Sequence, residues 1–146
     1  MKKIKALCFA LSVLLFSTFS LAAEQSRFTG FVPVSSKQTL FVDHLVATPG
    51  MPTVVLINGL TYSTSSWDSF VNQLKGNGLG ILRFDFRGQG KTIIHDGPIR
   101  DRIEFNQQLV DFRNLLHSLK LDGQKLVICA LSYCGGIATA FSAQYP

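Results

Sequence analysis

Charged side chains make up only 16% of this 146-residue chain, which limits the partners that it can recognise through charge. The formal net charge of +5 overstates its basic character, because three lysines lie within residues 1–5. Without those three, 11 basic residues remain against 9 acidic ones, a balance of +2. Nucleic-acid-binding proteins usually carry a concentrated basic patch, so we expect no nucleic-acid partner.

Cysteine and histidine are also scarce, at three residues each, and they are scattered. The chain has no Cys-x2-Cys pair and no His-Glu-x2-His motif, so we expect no metal site. Nothing in the sequence indicates a cofactor. Cys129 and Cys134 flank a short turn that a disulfide between them would distort. We therefore predict two buried free thiols.

A nucleotide-binding loop is superficially suggested by Gly88-Gln-Gly-Lys-Thr92. The phosphate-binding pattern Gly-x4-Gly-Lys-Ser/Thr requires glycine at position 85, where this chain has Asp85. The segment also shows no immediate helix start. We therefore expect no nucleotide binding.

The N-terminus has a basic start, an apolar stretch over residues 6–21 and small residues near Ala22. This pattern is typical of a secretory signal peptide. We predict that residues 1–22 are a signal peptide and that residues 23–146 form the mature domain, exported to the periplasm or secreted. Contact with the membrane would then occur only during export. The alternative is an uncleaved N-terminal anchor.

The remaining chain alternates apolar runs with amphipathic segments, which predicts an α/β fold with a mostly parallel sheet. Residues 28–33 and 39–46 could form a first hairpin. The buried strands would be 53–57, 80–85 and 126–131, followed by loops at 58–60, 86–90 and 132–133. One helix would begin near a capping box formed by Ser65 and Asp68, and another at Asp101. The expected apolar faces of these helices are Trp67, Phe70, Val71 and Leu74 on the first and Phe105, Leu109, Phe112, Leu116 and Leu119 on the second.

Ser132 stands where the apolar run 126–131 meets a helical pattern. A serine at such a strand-to-helix turn is the layout of a nucleophile elbow, in which a strained backbone lifts the hydroxyl above the sheet. The backbone N–H of the next residue, Tyr133, would then face a substrate oxygen. The usual flanking glycines are replaced by Ala130 and Cys134. On this stretch alone, a serine after an apolar run is more often an ordinary helix N-cap than a nucleophile.

Four motifs in order resemble the α/β-hydrolase family. They are Val54 to Leu60, with Asn58 where the family has histidine; Ser65-Ser-Trp-Asp68; Arg83-Phe-Asp-Phe-Arg-Gly-Gln-Gly90; and Leu131-Ser-Tyr-Cys-Gly-Gly136. The resemblance extends over residues 28–146 and implies a three-layer fold. It implies that Ser132 is the catalytic nucleophile and that the backbone N–H groups of Leu60 and Tyr133 form the oxyanion hole. Asp85 and Arg87 would shape the neighbouring loop.

The same family places its catalytic acid and histidine after the serine. The fourteen residues that follow Ser132 contain no His, Asp or Glu. Of the three histidines, His95 beside Asp96 is the only candidate base on the side of the sheet where the loops meet. We therefore expect a fragment, the N-terminal half of a hydrolase, with residues 126–131 as an exposed apolar edge strand.

The predicted activity is hydrolysis of a small-molecule ester or related substrate through a covalent serine intermediate. The alternative is a catalytically inactive remnant, or a binding module on the same scaffold. The sequence gives no indication of the specific substrate or of the oligomeric state.

Overall fold

The computed structural model describes residues 24–97 and 102–145. The predicted signal peptide, residues 1–22, lies outside the described residues. The described elements in chain order are β1 (Arg27–Pro33), β2 (Thr39–Leu45), β3 (Thr53–Ile57), a 3₁₀ turn (Thr64–Trp67), α1 (Asp68–Leu74), β4 (Gly80–Asp85), α2 (Gly90–Asp96), α3 (Phe105–Ser118), β5 (Leu126–Ala130) and α4 (Tyr133–Gln144).

The five strands form one sheet in the order β1-β2-β4-β3-β5. The predicted hairpin is confirmed, since β1 and β2 pair antiparallel with Phe31 opposite Phe41. Strand β2 pairs antiparallel with β4, whereas β3 pairs parallel with both β4 and β5. Four strands therefore run in one direction and β2 runs against them. The predicted mostly parallel α/β sheet is confirmed.

Helices cover both faces of this sheet, which gives the three layers that were expected. The larger core lies under α3 and α4, where Phe84, Phe112 and Ile137 are fully or almost fully buried. A smaller core on the opposite face contains Trp67, Val71 and Leu56. Strand β3 has all five residues buried, because it lies between β4 and β5 and its Val, Leu and Ile side chains fill both cores.

Strand β5 pairs only with β3 among the residues that the structure describes. Its other edge is open, and the Val127 side chain is 48% exposed. The expected exposed apolar edge is therefore present. A groove of about 690 Å³ lies beside it, between the C-terminal ends of α3 and α4.

Two predicted helix starts are wrong. Ser65 lies inside the 3₁₀ turn, where its hydroxyl bonds to Ser63 Oγ at 2.9 Å, and Asp68 pairs with Arg83 and caps no helix. Helix α3 begins at Phe105, because Glu104 has extended backbone angles (φ −85°, ψ 143°); Asp101 itself lies outside the described residues.

The apolar faces were predicted with mixed success. On α3, Leu109, Phe112 and Leu116 are buried as expected, and Phe105 and Leu119 pack against them. Trp67, which directly precedes α1, and Val71 on α1 are buried, and Leu74 at the end of α1 packs against the smaller core. Phe70 is 39% exposed and only tilts against the Trp67 ring, with the ring centroids 5.9 Å apart.

Helix α2 was not predicted, and the statement that no helix begins after Gly88 is wrong. The buried Asp85 carboxylate explains this helix, because its Oδ2 accepts the Lys91 N–H at 2.8 Å. The Thr92 hydroxyl donates to the Asp85 carbonyl oxygen at 2.7 Å and accepts the Phe41 N–H at 2.9 Å. Contacts with the end of β4 and with the neighbouring strand β2 thus hold the first turn of this helix. None of the helices in the described residues is long and apolar enough to cross a membrane.

Candidate active site

Ser132 occupies a tight turn between β5 and α4. Its backbone angles are φ 52° and ψ −126°, a region that residues other than glycine rarely adopt. Hydrogen bonds hold the turn on both sides: Leu131 N–H donates to the Ile57 carbonyl at 3.1 Å, and Gly135 N–H donates to the Ser132 carbonyl at 2.8 Å. The Ser132 side chain is exposed at the C-terminal edge of the parallel strands. The predicted strained backbone is therefore present.

The residues that replace the usual flanking glycines fit this turn. Cys134 is fully buried in the larger core, and Ala130 packs at its margin. Burial raises the pKa of the Cys134 thiol to about 11, so it remains neutral and is not a competing nucleophile. Both cysteines are free, as predicted. Cys129 is only half-buried, however, because it lies on the open-edged strand β5.

The loop after β3 lies directly against Ser132. A Cβ placed on Gly59 would lie 3.5 Å from the Ser132 Cβ and 3.5 Å from the Leu131 carbonyl oxygen. Leu60, the next residue, is exposed. The first and last of the three predicted loops therefore meet at the serine.

Two backbone donors border this position. Within the described residues, neither the Leu60 N–H nor the Tyr133 N–H donates a hydrogen bond to a protein acceptor. Tyr133 is the first residue of α4, and the first N–H groups of a helix have no partner inside it. Unpaired N–H groups beside a serine are the chemistry that stabilises a developing oxyanion.

Asn58, which stands where the resembling family has histidine, is completely buried. Its Nδ2 donates to the Phe84 carbonyl at 3.0 Å and to Asp85 Oδ1 at 3.1 Å, and its Oδ1 accepts from Trp67 Nε1 at 2.8 Å. Asp85 Oδ1 also accepts the Thr64 N–H at 2.7 Å. This network fixes the start of the Leu60 loop.

Asp85 and Arg87 have structural partners, as expected. The Asp85 carboxylate is fully buried and accepts hydrogen bonds from three loop or helix groups. The Arg87 guanidinium makes a bidentate ion pair with Asp111 on α3, at 2.6 and 2.8 Å. Asp111 is fully buried. This pair joins the loop after β4 to α3 and leaves neither residue free for substrate.

Tyr133 is anchored by its side chain. Its hydroxyl donates to Gln108 Oε1 at 3.0 Å, and its ring packs edge-on against Phe105 with the ring centroids 6.1 Å apart. Gln108 is 3% exposed, so the acceptor of this partly buried hydrogen bond lies inside the protein. Helix α3 thus holds the residue that carries the second backbone donor. Sequence reasoning missed Gln108, because one polar residue beside an apolar stripe gives no signal of its partner.

His95 does not meet Ser132, and its selection as a candidate base is wrong. It lies on α2 and stacks on Phe31 of β1, with ring centroids 4.1 Å apart. Strands β1 and β5 are the two edges of the sheet. With roughly 4.8 Å between neighbouring strands, four strand steps separate the two residues by about 19 Å.

The other two histidines also lie away from Ser132. His44 is buried on β2, which is three strands from β5. His117 lies at the C-terminal end of α3 and bonds to Asp122 at 2.7 Å. The described residues therefore place no histidine beside Ser132. They also contain no group of three or more His, Cys, Asp or Glu side chains that could hold a metal ion.

Solved structures share this architecture. The chain matches an α/β hydrolase from Novosphingobium aromaticivorans (20% identity, TM-score 0.70) over 82% of this chain and 40% of that one. A carboxylesterase structure from Nitrososphaera gargenis (21%, TM-score 0.66) matches over 80% and 41%. A proline iminopeptidase-related protein from Thermus thermophilus (17%, TM-score 0.68) matches over 83% and 41%. The chain thus has the α/β-hydrolase fold and spans about two fifths of these structures.

The family follows from a second comparison. A family model described as serine aminopeptidase, S33, matches residues 50–146, which is well over half of the chain. The chain therefore belongs to this family of α/β hydrolases. No curated protein matches it.

Proposed function

We propose that this chain carries the nucleophile and the oxyanion hole of a serine hydrolase that acts on small-molecule esters or related acyl compounds. The observation that carries the proposal is the Ser132 backbone, at φ 52° and ψ −126° beside two unpaired N–H groups. A strained conformation costs about 1–3 kcal/mol and persists mainly where it serves a function. An ordinary helix N-cap would need no such strain.

The reaction would proceed in two balanced steps. Ser132 Oγ attacks the substrate carbonyl carbon and gives its proton to a base, while the N–H groups of Leu60 and Tyr133 stabilise the negative oxygen. The ester C–O bond then breaks, and the leaving alkoxide takes the proton from that base. Water hydrolyses the acyl-serine by the same route and restores the hydroxyl.

The base is the missing group. A serine hydroxyl reacts slowly unless a neighbouring base accepts its proton. None of the histidines among the described residues lies near Ser132. We propose that the acid and the histidine come from polypeptide outside the described residues, and that the 146 residues alone are nearly inactive. A non-catalytic binding role for these residues is the alternative that the same gap supports.

The test is covalent labelling of the 146-residue chain with an alkyl fluorophosphonate in the presence of imidazole. In this reaction the Ser132 Oγ–P bond forms, the P–F bond breaks, and imidazole takes the proton. We expect one adduct on Ser132 by mass spectrometry, which forms several-fold more slowly without imidazole. Ser132→Ala should abolish it, and Ser142→Ala, an exposed serine on α4, should not. Equal labelling of wild-type and Ser132→Ala chains would exclude Ser132 as the nucleophile.

We also propose that the protein is exported by residues 1–22. Expression of the full chain with a C-terminal tag should yield an extracytoplasmic product whose N-terminus lies at residue 23 or 24. A product that keeps Met1 and stays with the membrane would support the uncleaved anchor.

A further inference from the structure

The Gln89 side chain lies behind the loop that carries Leu60. It is 7% exposed, and its Nε2 donates to the Gly59 carbonyl oxygen at 3.4 Å. The same oxygen accepts the Tyr62 N–H at 3.3 Å. Two donors from different loops therefore converge on one carbonyl group beside Ser132.

This carbonyl belongs to the same peptide unit as the Leu60 N–H. A trans peptide is planar, and its C=O and N–H bonds point in opposite directions. Fixing the direction of the Gly59 carbonyl therefore fixes the direction of the Leu60 N–H. With the carbonyl drawn toward Gln89 and Tyr62, the N–H is left facing away from both.

The Gln89 backbone is itself well held. Its N–H donates to the Phe86 carbonyl at 3.0 Å, and its carbonyl accepts the Ile93 N–H at 3.0 Å in the first turn of α2. Because Asp85 and Thr92 start that helix, the position of Gln89 depends on the buried Asp85 network. The backbone that carries the Gln89 side chain is therefore held in place, and the side chain contacts Gly59 from a fixed position.

The oxygen of the Gln89 side-chain amide indicates that this residue does more than stabilise the fold. Gln89 Oε1 is buried and has no hydrogen-bond partner among the described residues. A buried acceptor without a donor destabilises a fold, because its hydrogen bond to water is lost and not replaced. An apolar side chain of similar size would avoid this penalty, so the amide is explained better by its contact with Gly59 than by its contribution to folding.

We propose that Gln89 is a positioning residue, which aims the Leu60 N–H at the substrate oxygen by holding the Gly59 carbonyl. This inference rests on the proposed function, because it assumes that the Leu60 N–H is an oxyanion donor. It adds a residue that does not touch the substrate and lies on a different loop from both donors.

The test compares Gln89→Leu with wild type in the fluorophosphonate reaction with imidazole. Leucine keeps most of the volume and removes both buried polar groups, so the free energy of unfolding should be unchanged or higher. The rate of labelling at Ser132 should fall about tenfold, since loss of a whole oxyanion donor slows reactions by 10²–10³ and here one donor is only misdirected. Gln73→Leu, on the exposed side of α1, is the matched control and should leave the rate unchanged.

Two further readouts separate positioning from general damage. The ¹H–¹⁵N resonance of Leu60 should shift in Gln89→Leu and stay in place in Gln73→Leu. In Gln89→Glu, an ionised carboxylate cannot donate to the Gly59 carbonyl, whereas the protonated acid can. Its labelling rate relative to wild type should therefore recover as pH falls through the raised pKa of a buried glutamate.

The failures are distinguishable. If wild type is labelled at Ser132 while Gln89→Leu reacts at the same rate with an unmoved Leu60 resonance, the positioning role is wrong and the proposed function stands. If wild-type and Ser132→Ala chains react equally, the proposed function fails and the positioning role fails with it.

Discussion

Asn58 Nδ2 donates a hydrogen bond to Asp85 Oδ1 at 3.1 Å, and both side chains are completely buried. The two residues end neighbouring parallel strands, so this one bond ties the loop that carries Leu60 to the loop that carries Gln89. Trp67 Nε1 donates a hydrogen bond to Asn58 Oδ1, the other end of the same side-chain amide. The α/β-hydrolase family has histidine at this position. Here Asn58 makes three buried hydrogen bonds, to Phe84, Asp85 and Trp67, and these hold the loop that follows.

Asn58→Ala should destabilise the fold by about 3 kcal/mol, because it removes three buried hydrogen bonds worth roughly 1 kcal/mol each. Asn58→Asp should be worse, since it places a second carboxylate against the buried Asp85. Chemical denaturation followed by circular dichroism measures both. Asn72→Ala, on the exposed side of α1, should change the free energy of unfolding by no more than about 0.5 kcal/mol. If Asn58→Ala also lowered the free energy of unfolding by no more than about 0.5 kcal/mol, the hydrogen-bond network around Asn58 would not be holding the loop.

Most of the fold was predictable, because the strands are apolar runs and α3 carries a continuous apolar stripe. Helix α2 could not be predicted in this way. Its start is capped by Asp85 from the end of β4, and its buried Thr92 hydroxyl accepts from Phe41 on β2. The contact with Phe41 joins residues 51 positions apart, and the Asp85 contacts follow no helical spacing, so neither leaves a local helix pattern.

The candidate site was also predictable only in part. The turn at Ser132 was predictable, since a strand, a serine and small residues occur in sequence. The error over His95 arose because the loop after a parallel strand can turn toward either edge of the sheet. Here it turns toward β1, where His95 stacks on Phe31. Gln89 was missed because its importance lies in a contact with the carbonyl of Gly59, thirty residues earlier.

Acid should weaken the fold in two separate steps, and His44 accounts for the first. Burial lowers the pKa of His44, although the charge of Asp43 partly opposes this effect. The unfolded chain then binds more protons than the folded chain below about pH 6.5, so stability falls as the pH drops past that value. In His44→Leu this first loss should be absent in unfolding measured from pH 7 to pH 5. An unchanged slope would mean that His44 binds protons to the same extent in the folded and the unfolded chain.

Asp43 accounts for the second step. Burial opposes its ionisation and is the largest single influence, but hydrogen bonds from Arg27 and Arg83 outweigh it and lower the pKa of Asp43 to about 2. Since this pKa lies below the unfolded value near 4, the stabilisation is complete above about pH 4 and is lost between about pH 4 and pH 2. We expect a loss of about 1–2 kcal/mol after allowance for solvent screening.

Asp43→Asn should remove this second loss and keep the first, whereas His44→Leu should do the reverse. Each variant is therefore the control for the other, although the two residues are neighbours on β2. Denaturation midpoints at intervals of half a pH unit would resolve the two steps. A single loss shared by both variants would contradict independent titration of the two groups.

The strain at Ser132 separates stability from reactivity. Glycine adopts φ 52° and ψ −126° readily, so Ser132→Gly should raise the free energy of unfolding by about 1 kcal/mol, after the greater entropy of glycine in the unfolded chain is subtracted. Ser132→Ala keeps the Cβ and the strain, so its stability should match wild type within about 0.5 kcal/mol. Both variants should lose fluorophosphonate labelling completely. Lys120→Gly, at the other end of the sheet with φ 57°, should stabilise the fold while labelling continues at the wild-type rate. If Ser132→Gly were no more stable than Ser132→Ala, the turn would not be strained, and the main observation behind Ser132 as the nucleophile would be lost.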